Sequence, residues 1–246
     1  MDRKFFKATA LMLGGLVMVG SASAASVTLN TAGKKATATL VLSSDAKSKA
    51  ALAGVSFGAG GNTYTGSSAG TFVLPITKSV VDVSFFKPIA PVSGEAIGSA
   101  ILASKGTKTL ALANFKIDYA SDKISGDLIT NGQTSNMALF SFNEQTSRTI
   151  KLSGLSLTMN QTLDTLKLTS GATSALTSAL GNSGAMSSLA AADFGTLTID
   201  VSTLSRKAVS TKPYTASMMV PEASTYAMMA LGLAGIGFVA RRKARA

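Results

Sequence analysis

Polar and apolar residues alternate along the middle of this chain, and the alternation constrains the fold more than any other feature. Because successive side chains of a strand point to opposite faces of its sheet, a period of two predicts half-buried β-strands. Such strands are predicted at residues 80–86, 109–119, 123–130, 137–142 and 150–159. Asn131-Gly132, a strong hairpin signal, and Asp122-Lys123 supply turns between them. The pattern predicts a mainly β (α+β) fold built on an antiparallel sheet or sandwich.

An internal similarity predicts two short helices within this fold. Residues 40–54 resemble residues 166–181, and a strand follows each of them, at 70–76 and 195–201. Each copy is predicted to be one strand-helix-loop-strand unit, so that the body contains a duplication. The alternative is a chance similarity between two segments rich in Ala, Ser and Leu.

Both predicted helices have residues suited to their ends. Ser and Thr favour the N-cap and Gly favours the C-cap; the candidates are Ser43 or Ser44, Thr169 or Ser170, Gly54 and Gly181. If the units are equivalent, Leu52 and Leu180 occupy corresponding buried positions.

The chain contains no His and no Cys. Without them it cannot form a Ser-His-Asp triad, a thiol nucleophile, a disulfide or a zinc site of ordinary type. Asp118, Asp122 and Asp127 are the closest acidic group, but their spacing does not match a calcium loop. The sequence therefore predicts a protein that is not an enzyme, with no metal and no cofactor.

Two further stretches carry weaker signals. Gly58–Gly61 is predicted to be a flexible loop, because it does not have the spacing of a nucleotide-binding loop. Tyr64 and Tyr119 are candidates for a ligand-binding face, although packing is the expected role of Tyr119.

The N-terminus has the order of a signal peptide. Residues 1–7 are basic, residues 8–19 are uncharged and apolar, and Ala22 and Ala24 form an Ala-x-Ala cleavage site. About a dozen apolar residues are too few for an anchor helix, which needs roughly 20. We expect residues 1–24 to be a signal helix that is removed after Ala24.

The C-terminus combines an uncharged stretch with a basic end. Residues 224–240 are at the lower limit for a transmembrane helix. Arg241, Arg242 and Lys243 are expected to stop transfer and to keep the end of the chain in the cytoplasm. Pro221 is expected to hold the preceding backbone extended and open to a protease.

This tail resembles the PEP-CTERM sorting signal of exported Gram-negative proteins. Val220, Pro221 and Glu222 match the start of that signal, while Ala223 replaces its second proline. The resemblance implies recognition by an exosortase-type membrane protease near these residues, after a transient stay in the inner membrane. It also implies delivery to the cell surface or the extracellular matrix, often with exopolysaccharide and biofilm formation. The alternative is a plain C-terminal anchor.

The predicted organisation is a signal peptide at 1–24, a β-rich extracellular body at 25–217 and a sorting signal at 218–246. The net charge of +11 is shared among these parts. The basic ends account for nearly half of it, and the lysines of the body are scattered without interleaved aromatic residues. This pattern argues against nucleic acid as a partner and leaves a weak attraction to acidic polysaccharide.

The repeat and the alternating strands of the body loosely resemble the HtaA-type surface domains of bacteria, some of which bind haem. That resemblance implies an alternative function, a surface module that binds haem or another small molecule. No histidine is available to ligate haem.

Overall fold

The computed structural model describes residues 25–84, 87–146, 150–153 and 156–219. The predicted signal helix and the predicted transmembrane helix lie outside these residues. Within the described ranges, no helix is both long and apolar enough to cross a membrane.

The described part of the chain is mainly β. Its strands are β1 (Ala25–Asn30), β2 (Lys34–Leu42), β3 (Ser56–Gly61), β4 (Tyr64–Thr65), β5 (Thr71–Pro75), β6 (Lys78–Ser84), β7 (Lys87–Lys105), β8 (Lys108–Asp118), β9 (Lys123–Thr130), β10 (Gln133–Glu144), β11 (Ile150–Ser153), β12 (Ser156–Leu168) and β13 (Gly195–Ser205). Its α-helices are α1 (Ser44–Ala53), α2 (Ser170–Leu180) and α3 (Gly184–Ala190). The prediction of two helices is wrong, because the described residues contain a third. Gly181 ends α2, and Ser183 then caps the separate helix α3.

All thirteen strands described belong to one curled antiparallel sheet. The order along it is β1-β6-β7-β8-β9-β10-β12-β13-β2-β5-β4, with β11 added beside β12 and β3 beside β7. The 19-residue strand β7 is long enough to pair with β6 through its first half and with β3 through its second half. The antiparallel prediction is confirmed.

Local turn chemistry sets the β9–β10 hairpin. Asn131 and Gly132 both have positive φ, at 49° and 77°, as a two-residue hairpin turn requires. The strand predicted at 123–130 has the predicted bounds. The strand predicted at 150–159 is wrong as a single element, because β11 and β12 pair with each other as antiparallel partners over these residues.

The two copies of the predicted repeat share their strands and first helices. Ser43 and Thr169 accept hydrogen bonds from the third following amide, and Gly54 and Gly181 end the helices. The copies differ after the helix, since β3 and β4 precede the return strand in the first copy, whereas α3 does so in the second.

The expected equivalence of Leu52 and Leu180 is wrong. Leu180 is 2% exposed, whereas Leu52 is 80% exposed. Helix α1 turns its small residues Ala46, Ala50 and Ala53 inward at positions i, i+4 and i+7, which leaves Leu52 on the outer side.

Two apolar clusters lie on opposite faces of the sheet. The large inner cluster fills the curl and receives Leu176 from α2, Met186 from α3 and Phe194 from the segment after α3. A small outer cluster contains Ala100, Ala111, Ala113, Ile129 and Tyr214. The outer cluster lies where the end of the described chain crosses the sheet.

Candidate functional site

The residues that the sequence assigns to signal cleavage, sorting and transfer arrest all lie outside the described residues. They are Ala22, Ala24, Val220, Pro221, Glu222, Arg241, Arg242 and Lys243. The described residues 206–219 follow β13 and lie directly before Val220; we call them the strap.

Arg206 fixes the start of the strap to the turn between β1 and β2. Its backbone N–H donates to the carbonyl of Gly33 at 2.9 Å, and its guanidinium donates to the carbonyls of Ala32 at 3.4 Å and Ile76 at 3.2 Å. Desolvation by burial lowers the pKa of Arg206, and Tyr64 opposes this shift. The Arg206 side chain thus supplies hydrogen-bond donors to the Ala32 and Ile76 carbonyl oxygens at the edge of the strap.

Asn62 holds the next part of the strap. Its side-chain amide donates to the carbonyl of Ser210 at 2.7 Å and to that of Ile97 in β7 at 2.9 Å. One side chain therefore joins the strap to the outer face of the sheet.

Asn114 clamps the strap at Tyr214. Its Oδ1 accepts from the backbone N–H groups of Tyr214 at 2.8 Å and Gly98 at 3.0 Å. Its Nδ2 donates to the carbonyl of Tyr214 at 2.9 Å and to Asp127 Oδ2 at 2.7 Å. A side-chain amide has two donor hydrogens and two acceptor lone pairs, so the hydrogen-bonding capacity of Asn114 is filled.

A β-bulge places Asn114 in this position. Between Ala113 and Lys116 the register of β8 against β9 shifts by one residue, and Asn114 has a φ of 52°. Asn tolerates this left-handed backbone better than most residues, and a bulge redirects a side chain out of the ladder. The polar side chain thereby reaches the strap from within an apolar strand.

Glycines make room for the Tyr214 ring. Gly61 has a φ of 60°, and a Cβ there would lie 2.0 Å from the Gly98 carbonyl oxygen and 2.9 Å from the ring. Only glycine is compatible with both restrictions. The prediction of a loop at Gly58–Gly61 is therefore wrong, because these residues belong to β3, which pairs with β7 beneath the ring.

Tyr214 is the most deeply buried residue of the strap. The residue is 4% exposed, and desolvation raises the pKa of its hydroxyl. After it, a short 3₁₀ helix spans Ala216–Met218, and Ala216 and Met219 pack against the outer cluster. The docked region therefore extends to the residue that precedes Val220.

The three aspartates considered for a metal have separate structural roles. Asp118 accepts from the Ala120 amide and the Ser121 hydroxyl; the Ser121 bond is the largest cause of its lowered pKa. Asp127 holds Asn114 and Asn136, while Asp122 lies in the turn before β9. The described ranges contain no cluster of acidic residues able to hold a metal ion.

The candidate tyrosines differ in exposure. Tyr119 is 4% exposed and meets Phe142 edge-on, with ring centroids 6.3 Å apart, so it is a packing residue. Tyr64 in the two-residue strand β4 is 53% exposed.

A cavity lies inside the curl of the sheet. Its volume is about 70 Å³, and its lining includes Ile101, Phe115, Phe140 and Met159. Pockets for drug-sized ligands have volumes of roughly 300–1,000 Å³. The cavity inside the curl is thus too small for a ligand of that size.

A more open groove lies between α1 and residues 65–71, with a volume of about 350 Å³. Phe57 and Phe72 are among its apolar lining residues, and the hydroxyl-bearing Ser67 and Ser68 lie along the loop side. Lys47 contributes a cation from α1. This groove is large enough for a small molecule or a sugar ring.

Comparison with protein families identifies the tail. Residues 220–243 match the PEP-CTERM protein-sorting motif, which confirms the resemblance read from the sequence. The motif implies an exported protein that is sorted by an exosortase, a membrane protein, and delivered to the surface. The matched residues begin directly after Met219, the last residue of the strap.

The body shows a weak likeness to one solved structure. It is similar to the crystal structure of the C-terminal domain of HtaA from Corynebacterium glutamicum, with 11% sequence identity and a TM-score of 0.44. The match covers 69% of this chain and 98% of that chain. No curated protein matches this chain.

Proposed function

We propose that this chain is a non-enzymatic cell-surface or matrix protein that an exosortase cuts near Pro221–Glu222 and that associates with acidic exopolysaccharide in biofilms. The observation that carries the proposal is the match of residues 220–243 to the PEP-CTERM motif. In this proposal Arg241, Arg242 and Lys243 hold the tail in the inner membrane of a Gram-negative cell until the cut is made.

The charge of the body supports an acidic partner. Outside the signal peptide and the tail, the chain retains a positive net charge of about +6 by sequence count. Lys49 and Lys78 are engaged with Asp45 at 2.8 Å and with Glu95 at 3.1 Å. The basic excess remains after such pairs, because each pair removes one charge of either sign. An excess of this kind attracts polyanions at low salt.

Co-sedimentation of the processed protein with an acidic exopolysaccharide tests this partner. We expect binding that weakens between low salt and about 0.5 M salt, where the Debye length becomes only a few ångströms. A neutral dextran of similar length is the control. Equal retention by the two polymers, or retention by neither, would contradict the proposed partner.

A second candidate function is the binding of a small molecule, and the groove beside α1 favours it. Its volume of about 350 Å³ lies within the range of ligand pockets, and its apolar lining is combined with hydroxyl groups and Lys47. Haem is one ligand to test, by its absorption spectrum with and without the protein.

Two variants on α1 test the groove. Ala51 lines it, so Ala51→Trp fills the space, whereas Ser48 lies exposed on α1 and does not line it. Binding of a ligand that is lost in Ala51→Trp and kept in Ser48→Trp would establish the groove as its site. Binding unchanged in both variants would exclude the groove.

A further inference from the structure

Tyr214 is separated from the sorting motif by only five residues, 215–219. Within this short connection, Ala216–Met218 form a 3₁₀ helix, and Met219 packs on the outer cluster. Met218 and Met219 donate backbone hydrogen bonds to Thr215 at 3.0 Å and to Ala216 at 3.1 Å. The chain immediately before the motif is therefore folded onto the body.

A protease needs a backbone that is free of such contacts. Susceptibility to cleavage follows from the burial and the hydrogen bonding of the backbone around the cut, and exposed, unpaired segments are cut first. Residues on both sides of a cut near Pro221–Glu222 must enter the enzyme. The docked form of residues 215–219 withholds the N-terminal side.

We propose that Asn114 is a positioning residue for sorting, which acts through Tyr214 by holding the end of the strap in a docked form that must open before the exosortase can cut. The inference rests on the proposed cleavage near Pro221–Glu222. A substrate that is competent only in its open form is processed in proportion to the population of that form. Docking therefore slows the release of the body from its tail.

The contacts of Asn114 make it the controlling residue of this segment. It binds both the backbone N–H and the carbonyl of Tyr214, at 2.8 and 2.9 Å. The upstream contacts of Arg206 and Asn62 end at Ser210. Loss of the Asn114 side chain removes both hydrogen bonds to Tyr214 and leaves residues 214–219 held by apolar packing on the outer cluster, which weakens their docking, while residues 206–210 stay attached through Arg206 and Asn62.

Asn114→Gly removes the clamp without straining the backbone, since glycine accepts a φ of 52°. Asn131→Gly is the matched control, because Asn131 also has a positive φ, 49°, and lies exposed in the β9–β10 turn. A third variant carries about eight Gly and Ser residues between Met219 and Val220, which adds an extended reach of roughly 25 Å. It leaves every contact of the strap in place.

The experiment follows the full-length chains in a host that expresses the exosortase, by pulse-chase measurement of tail removal. We expect both Asn114→Gly and the linker variant to be processed about tenfold faster than the native chain, and Asn131→Gly to be processed at the native rate. In the double variant the linker should add little, since both changes relieve the same restraint. A merely structural role for Asn114 would not make the rate depend on linker length.

The failures of the two proposals differ in appearance. A linker variant that is processed at the native rate would overturn the positioning role while leaving the cleavage itself established. If no variant is processed, although another exported substrate is cut in the same cells, both proposals fall.

Discussion

Phe194 lies edge-on against Phe140, with ring centroids 5.5 Å apart, and so joins the segment after α3 to the middle of the sheet. It also meets Phe57 edge-on at 6.3 Å, and its backbone N–H donates to the Leu166 carbonyl at 2.8 Å. Phe194 thereby ties the segment between α3 and β13 to β3, β10 and β12.

Phe194→Ala should destabilise the body strongly. The side chain is 4% exposed, and truncation of a buried Phe costs about 3–5 kcal/mol. Urea unfolding of the processed protein, followed by circular dichroism, measures the loss. A cost below about 1 kcal/mol would show that the helical end does not depend on this contact.

Truncation of Leu180 and of Leu52 compares the stability contribution of one helix residue from each copy of the repeat. Leu180→Ala should cost about 2–5 kcal/mol, because the side chain is 2% exposed in the inner cluster. Leu52→Ala should change the free energy of unfolding by no more than about 0.5 kcal/mol, because Leu52 is on the solvent side of α1. Equal costs for the two variants would contradict the orientation of α1.

The strands and caps that could be predicted from the sequence depend on neighbouring residues. Asn131-Gly132 determines its own hairpin, and Ser43 and Thr169 cap the helices that follow them. Strand β7 was missed because residues 87–105 contain two prolines, two glycines and little alternation. Its partners β3, β6 and β8 determine its conformation.

The two parts of the candidate site likewise differ in whether neighbouring or distant residues form them. The sorting motif is contiguous, so Val220, Pro221 and Glu222 could be found from sequence order alone. The clamp joins Asn114 to Tyr214 across 100 residues, and no local pattern pairs them. The available signal was Asn114 itself, a polar residue between Ala113 and Phe115 in an apolar strand, at the position where the alternation shifts by one residue.

Docking of the strap should weaken at alkaline pH. Burial raises the pKa of the Tyr214 hydroxyl above its ordinary value of about 10, so the folded protein holds this proton more tightly than the unfolded chain. The stabilisation is therefore fully present below about pH 10 and is lost as the pH rises through the raised value. Tyr214→Phe should reduce the loss of stability between pH 8 and pH 11.

Urea midpoints at the two pH values, compared between the native protein and Tyr214→Phe, measure this effect. An unchanged loss in Tyr214→Phe would show that ionisation of Tyr214 does not oppose docking.

The basic end of the tail should determine topology. Replacement of Arg241, Arg242 and Lys243 by Ser removes the charges that are expected to arrest transfer. We expect the C-terminus to pass through the membrane and the uncut, released fraction to rise. An accessibility assay with a C-terminal epitope in intact cells measures this; native topology and native processing in the variant would contradict the stop-transfer role.

Intact mass spectrometry of protein extracted from the cell surface shows directly whether the tail is removed by cleavage. We expect a chain that begins at Ala25, the first residue of β1, and that ends near Pro221–Glu222. A surface protein that still carries Arg241 to Ala246 would contradict sorting by cleavage and would make the tail a simple membrane anchor.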